Sequence, residues 1–386
     1  MRLSQHGRMM EMIKRLFMSA VMAGAVLLGS TVWAAEVKEG GQSVEFKPKL
    51  GGYIEAWYRS DNSDLTNQTT ASKKVDNEFR VRRARLTASG SLNEALGYRL
   101  TASLDGPSPA SSASTVKLWD AYMSYTVNDL LIVTAGQFKY DFTLEGLEST
   151  PDRVPVLRAE SINDIAGKLG TKGGSFRDIG VKANGSYKRA LGLTYGVAMI
   201  NGSGINAGDN NAEKDIVGRV TVTPVENLTA GVSGYGGKGQ DETAGFEVKE
   251  SAWALDAEYL YEGLKLRGEY IAARLQNWDA ASSSAAQGKT QKPKGWYMQA
   301  SYKLPPAPSV EVMGRYEDYE KDSNTADSRL KTTTVGLTYY LKGKTRISAN
   351  YLMRNANGST TVTAQETDAV GSRIGNLFLL QAIMVF

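Results

Sequence analysis

Apolar and polar residues alternate along most of this chain. Leu96, Tyr98, Leu100, Ala102 and Leu104 are interleaved with Gly97, Arg99, Thr101 and Ser103. A period of two gives an extended segment one greasy face and one wet face. Trp253, Leu255, Ala257 and Tyr259 alternate with Ala254, Asp256 and Glu258 in the same way, as do Leu264, Leu266, Gly268 and Tyr270 with Lys265, Arg267 and Glu269. Val310, Val312, Gly314 and Tyr316 alternate with Glu311, Met313, Arg315 and Glu317. Segments of this kind predict sixteen strands, over 46–59, 79–90, 96–105, 116–126, 130–139, 176–186, 191–201, 214–223, 228–236, 251–261, 264–274, 295–304, 309–319, 331–341, 345–354 and 376–386. Most run about ten residues, the length a tilted strand needs to cross the hydrocarbon layer.

The connectors alternate as well. Short ones such as Val127-Asn128-Asp129, Pro224 to Asn227 and Glu262-Gly263 follow the even strands. Long polar ones, over 60–78, 106–115, 140–175, 202–213, 237–250, 275–294, 320–330 and 355–375, follow the odd strands. Short turns at one end and long loops at the other predict an all-β fold, a transmembrane antiparallel β-barrel with its short turns and both ends of the barrel on the periplasmic side. A soluble sandwich or propeller would bury one face of each strand in a dry core. Here the polar face carries Arg, Lys, Asp and Glu at mid-strand, which a dry core cannot hold and a wet lumen can. Tyr125, Tyr187, Tyr261, Tyr302 and Tyr339 stand beside the short turns, as an aromatic girdle does. On the last strand Phe378, Leu380, Ala382, Met384 and Phe386 share one face, and an aromatic there is similar to the signal read by barrel-assembly machinery.

Composition narrows the chemistry. Arg2, Arg8, Lys14 and Arg15 precede a run of apolar and small residues from Leu16 to Leu28, then Val32-Trp33-Ala34. That pattern predicts a secretory signal peptide over 1–34, cut near Ala34, with Met9, Met10 and Met12 as alternative starts. The barrel is then expected in 35–386. Cleavage removes four basic residues and one acidic residue from a chain of formal charge +4 and leaves +1, so the net basicity does not argue for nucleic acid. His6 is the only histidine and there is no cysteine. A Ser-His-Asp or Cys-His centre, an imidazole or thiolate metal site and a disulfide framework are therefore excluded from the secreted part. No catalytic residue, metal or cofactor is expected. The glycine-rich stretches at Asn201 to Gly204 and Gly234 to Gly237 follow strands, and no helix comes next, so they read as loop turns and not as phosphate cradles.

Several segments resemble the phosphate-selective porin O/P family. They are Phe79 to Leu86, Asp120-Ala121-Tyr122, Gly136-Gln137-Phe138-Lys139 followed by Glu145 and Ser149, Arg177-Asp178-Ile179-Gly180, Asn201-Gly202, Gly268-Glu269-Tyr270 and Arg315-Tyr316. The resemblance spans most of the secreted chain and lies more in the order of these motifs than in any one of them. It implies a homotrimeric outer-membrane channel for small hydrophilic solutes, with anions preferred, in contact with lipid and lipopolysaccharide. In general porins the third external loop folds into the barrel and narrows it. The third long loop here, 140–175, is also the longest, and a loop of that length is unusual without a task. Its candidate constriction residues are Asp141, Glu145, Glu148, Arg153 and Arg158; a surface lid or a trimer contact is the alternative.

Alternation places Arg83, Arg85, Arg99, Lys182, Arg219, Arg267 and Arg315 on the lumen face, with Arg346. Arginines in a water-filled pore attract anions and can bind oxyanions bidentately. Each could equally be a lumen charge paired with a neighbouring carboxylate. Arg83, Arg85 and Arg99, on adjacent strands about 5 Å apart, are expected to form one basic patch opposite carboxylates of the loop. The parity breaks near Arg82, which predicts a bulge there. Two other functions compete. One is a barrel acting as sheath or scaffold for a partner such as a multihaem cytochrome. The other is a barrel hydrolase, which the lack of histidine disfavours.

Overall fold

The structure is a computed structural model that describes residues 35–39, 42–46, 48–63, 77–105, 115–170, 175–187, 189, 191–209, 211–241, 246–279, 284–326, 328–356 and 375–386. The segment read as a signal peptide lies outside the described residues, as do the loop tips at 64–76, 106–114 and 357–374. The chain divides into two units after Pro48. The first contains a hairpin the sequence reading missed, β1 (Ala35–Glu39) and β2 (Gln42–Phe46), with Ala35 opposite Phe46.

The second unit is a closed antiparallel barrel. Its first strands are β3 (Lys49–Ser63), β4 (Asn77–Ser91), β5 (Leu96–Asp105), β6 (Thr115–Asn128), β7 (Leu131–Lys139), β8 (Arg177–Tyr187) and β9 (Leu193–Ile200). Next come β10 (Asp215–Val225), β11 (Leu228–Asp241), β12 (Phe246–Tyr261), β13 (Leu264–Asp279), β14 (Ser284–Gln291) and β15 (Lys294–Lys303). The last are β16 (Val310–Glu320), β17 (Arg329–Lys342), β18 (Thr345–Ala356) and β19 (Gly375–Val385), and β19 closes the barrel against β3. β14 and β15 pair with successive stretches of β13. Pro293 lies between them and has no N–H for the ladder, so the two make one interrupted stave. With that, the barrel has the sixteen staves read from the alternation.

Period two explains which way each strand faces. On β16, Glu311, Met313, Arg315, Glu317 and Tyr319 are buried inside, while Val312 and Tyr316 are exposed on the outer wall. Leu50, Ile54, Leu104, Met123, Val197, Val232, Trp253, Leu255 and Met384 are likewise exposed, as a lipid-facing surface requires. Tyr125, Tyr187, Tyr261 and Tyr339 lie exposed beside the short turns. Glu262 and Gly263 both have positive φ, 43° and 85°, the primed turn that matches strand twist in a two-residue hairpin.

The strands overrun their expected ends on the long-loop side. β11 and β12 stay paired to Asp241 and Phe246, and β13 and β14 to Asp279 and Ser284, inside segments expected to be loops. Here the outward positions carry Lys238, Glu247 and Lys249 in place of apolar residues, while Val248 and Glu250 stay buried inside, so the greasy outer face that marks a membrane strand is missing. The third loop differs more. Instead of structureless chain it holds α1 (Leu144–Leu147) and α2 (Glu160–Lys168). Among the described residues no helix is long and apolar enough to cross a membrane.

Candidate functional site

The loop after β7 lies inside the barrel, packed against inward-facing side chains. In α2, Ile162, Ile165 and Ala166 are fully buried, and Leu169 just after it extends the same face. This i, i+3, i+4, i+7 spacing gives a helix one apolar stripe. The stripe joins Phe142 of the loop and Ile271, Leu275, Tyr297, Tyr319, Ala252 and Ala254 of the wall in one cluster. So the inner wall is not uniformly polar, as the alternation suggested; against α2 it carries an apolar patch. A second cluster joins Val156 to Trp57, Leu352, Leu377 and Leu379, with Leu157 against it.

Wall carboxylates satisfy the loop's backbone donors. The N–H groups of Leu144 and Glu145 donate to Glu269 at 2.7 and 3.2 Å, which caps α1 from across the lumen. Ala159, the residue before α2, has no side chain able to cap it. The N–H of Glu160 instead donates to Glu317 at 2.7 Å, and that of Ala159 to Glu145 at 2.7 Å. Val156 N–H donates to Asn350 at 2.8 Å and Gly170 N–H to Glu250 at 2.7 Å. The guanidinium of Arg346 holds the carbonyls of Pro151, Thr150 and Arg153. Asp152 pairs with Lys344 in the turn between β17 and β18, so the loop descends to the short-turn side.

The expected constriction residues face the wall more than the pore. Glu145 is fully buried and bonds Arg315 at 3.0 Å; Glu148 bonds Arg267 at 2.8 Å; Asp141 lies 3.5 Å from Lys182. Arg153, also buried, donates to the carbonyls of Pro155 and Val156, and Arg158 to those of Glu145 and Glu148. Three expected pore arginines are closed off as well. Arg219 pairs with Asp256, Arg267 with Glu258 and Glu148, and Arg315 with Glu145 and Glu317. Of the two readings of Arg219, Arg267 and Arg315, these contacts match the lumen charge paired with neighbouring carboxylates. A buried guanidinium is tolerable only with such partners.

The wall from β3 to β8 is different. Arg83 bonds Glu55 at 3.1 Å, and Glu55 also accepts from Trp57 and Gln381 at 2.6 Å each. Arg80 and Arg82 each stand 5.5 Å from the Trp57 ring centre. Arg85 lies 3.7 Å from the ring centre of Trp119 and 5.6 Å from that of Tyr53. Arg177 lies 4.6 Å from Trp119 and bonds Asp120 at 2.8 Å; Arg99, partly exposed, reaches Asp120 at 3.7 Å. The ladder skips Arg82 between the Glu55–Arg83 and Ala56–Val81 pairs, the bulge expected from the parity break. Two expectations fail here. Arg85 is opposite Ser103 and Arg99 opposite Ser89, a stagger of four residues or roughly 13 Å rather than 5 Å. And the carboxylates meeting these arginines are Glu55 and Asp120 of the same wall, not those of the loop. Sequence reasoning missed Trp57, Trp119 and Arg177. The apolar spacing at 162, 165, 166 and 169 was a readable sign of α2.

The family model of Gram-negative porins matches residues 19–359. The chain belongs to the Gram-negative porin family. Among solved structures the porin is similar to the anion-selective porin from Comamonas acidovorans, at 16% identity and a TM-score of 0.65, covering 88% of this chain and 99% of that one. It is similar to a trimer form of OmpT of Vibrio cholerae, at 12% identity and 0.62 over 88% and 99%. OmpF of Salmonella typhi follows at 14% identity and 0.60 over 91% and 100%. At such identities these likenesses show the fold. No curated protein sequence matches the chain. Family and fold together make the porin an outer-membrane channel for small hydrophilic solutes.

Proposed function

We propose that this porin prefers anions and that the loop over 140–175 sets the narrowest part of its passage. One observation carries the reading, the gathering of arginines on the wall from β3 to β8. On the side covered by the loop, each of Arg219, Arg267 and Arg315 is held by one or two carboxylates. On the wall from β3 to β8 six arginines, Arg80, Arg82, Arg83, Arg85, Arg99 and Arg177, gather around the rings of Trp57 and Trp119 and the carboxylates of Glu55, Glu78 and Asp120. A passage between the loop and that wall runs along fixed positive charge, which concentrates anions. The printed description of the Comamonas relative as anion-selective agrees with this. The motifs that resemble the phosphate-selective family make phosphate one anion to test. A sheath around a cytochrome would need an open bore, and a loop packed into the lumen by its own apolar core works against it.

Homotrimeric assembly in lipid and lipopolysaccharide, after cleavage near Ala34, completes the proposal. The Vibrio relative described as a trimer supports the assembly. The test is the reversal potential of single channels in chloride and phosphate gradients. We expect an anion-to-cation permeability ratio above one, falling when Arg83, Arg85 and Arg99 are replaced together by Ala. Replacing the buried Arg219–Asp256 pair by Met and Leu is the control and should leave the ratio unchanged. A wild-type ratio at or below one refutes the anion preference.

A further inference from the structure

The strand that carries Asp120-Ala121-Tyr122 contains a second bulge. Thr101 is opposite Asp120 and Ala102 is opposite Leu118, so Trp119 has no partner across the ladder. An extra residue re-aims its neighbours. Here two successive side chains, Trp119 and Asp120, both reach arginines of the wall from β3 to β8. The bulge is pinned from β7: the Gln137 side-chain amide donates to the carbonyl of Leu118 at 2.6 Å and to that of Trp119 at 3.3 Å.

The two bulge residues gather arginines from three strands. Arg85 of β4 and Arg177 of β8 lie over the Trp119 ring. Arg177 and Arg99 of β5 share Asp120. Trp119 Nε1 is buried and makes no hydrogen bond within the protein, so donor pairing does not explain the ring's position. The ring's contacts with cations do. A guanidinium on a long stem has many rotamers open to it. Left to itself it swings among water and nearby carboxylates. An aromatic face within about 6 Å attracts and orients it. It also lets the guanidinium groups of Arg85 and Arg177 stand close together over one ring.

We infer that Trp119, an uncharged residue, is a positioning residue for anion selection, fixing the charges of Arg85 and Arg177 at the lumen wall. The inference rests on the anion-preferring reading above and adds to it a determinant that carries no charge. Selectivity then depends on where the charges are held as well as on how many there are. Replacing Trp119 by Ala leaves the formal charge of the lumen untouched and lowers the anion-to-cation permeability ratio at least twofold. Trp119→Phe, which keeps a ring, retains most of the ratio, whereas Trp119→Leu, which fills space without a π face, falls with Ala.

The experiment compares reversal potentials of the wild type and these three variants in a potassium chloride gradient. Heat-dependent gel mobility confirms that each barrel is folded before measurement. A wild-type channel with anion preference and a Trp119→Ala channel with the same ratio overturn the inference alone. Equal ratios in Trp119→Phe and Trp119→Leu also overturn it, because volume and not the ring would then be the agent. A wild type with no anion preference overturns the functional reading and this inference with it.

Discussion

The inserted loop is held by an apolar contact as much as by ions, and truncating that contact has a calculable effect. Ile162 and Ile165 are both fully buried, on the face of α2 that meets Ile271, Leu275 and Tyr319. Replacing a buried Ile by Ala typically costs about 2–5 kcal/mol, the transfer term plus the cavity left behind. The two sites are one turn apart and share a cavity, so their costs do not add cleanly. Taking about 4 kcal/mol for the pair, the ratio of seated to unseated loop falls by roughly three decades. That is enough to populate an unseated loop on the timescale of a recording. The assay is single-channel conductance in planar bilayers, with thermal unfolding of the detergent-solubilised barrel beside it. The double variant Ile162→Ala/Ile165→Ala is expected to flicker between the native level and a larger one, and to unfold at lower temperature. The same kind of truncation on the lipid-facing wall, Leu255→Ala, removes no loop contact and should leave the conductance unchanged. Native conductance and noise in the double variant, at native thermal stability, would refute the idea that this cluster seats the loop.

Gly295 of β15 lets α2 approach the wall, since a Cβ there would stand 2.6 Å from the Ser161 Cβ; Gly295→Val should therefore displace the helix and raise conductance, and a native level would count against the close approach. Asp164 of α2 gives a pH test. Burial pushes its carboxyl up, but Lys168 and the Tyr319 hydroxyl outweigh that and hold it below the usual range. A lowered folded pKa stabilises above the unfolded value of about 3.9 and is lost as pH falls through the folded one. The gap in thermal midpoint between wild type and Asp164→Asn should then be full at pH 7 and shrink on acidification below about pH 3.9; a gap that widens in acid would contradict the sign.

The barrel was legible because its rule is local. A strand between lipid and lumen must alternate, and sixteen segments did so with only their ends displaced. The ends were missed because β11 and β12 continue where the outward positions carry Lys238, Glu247 and Lys249 instead of apolar residues. The inside of the barrel was less legible, for a different reason. Whether Arg315 offers its charge to a solute or spends it on Glu145 and Glu317 depends on a loop about 170 positions earlier in the chain, and no spacing on β16 reports that. Arg85 and Arg99 were placed on the right face, yet their stagger depends on the β4–β5 register. The turn at Ser91 to Leu96 fixes that register, and alternation alone leaves it open by any even number of residues.

The apolar residues on the inner wall follow from the same physics that makes the rest of it polar. A loop folded into a wet lumen must repay its lost freedom with contacts. Hydrogen bonds to wall carboxylates contribute little net, because both partners were hydrated before. Apolar contact between Ile162, Ile165, Leu169 and the upper wall supplies a gain that water does not cancel. The polar contacts then serve geometry: Glu269 and Glu317 cap the two helices, and Arg346 holds a run of carbonyls at the loop's lowest point. Two carboxylates of the loop, Glu145 and Glu148, also meet Arg315 and Arg267 of the wall. Seating the loop and pairing Arg267 and Arg315 with its carboxylates are therefore one arrangement, and a variant that frees the loop should also change ion selection.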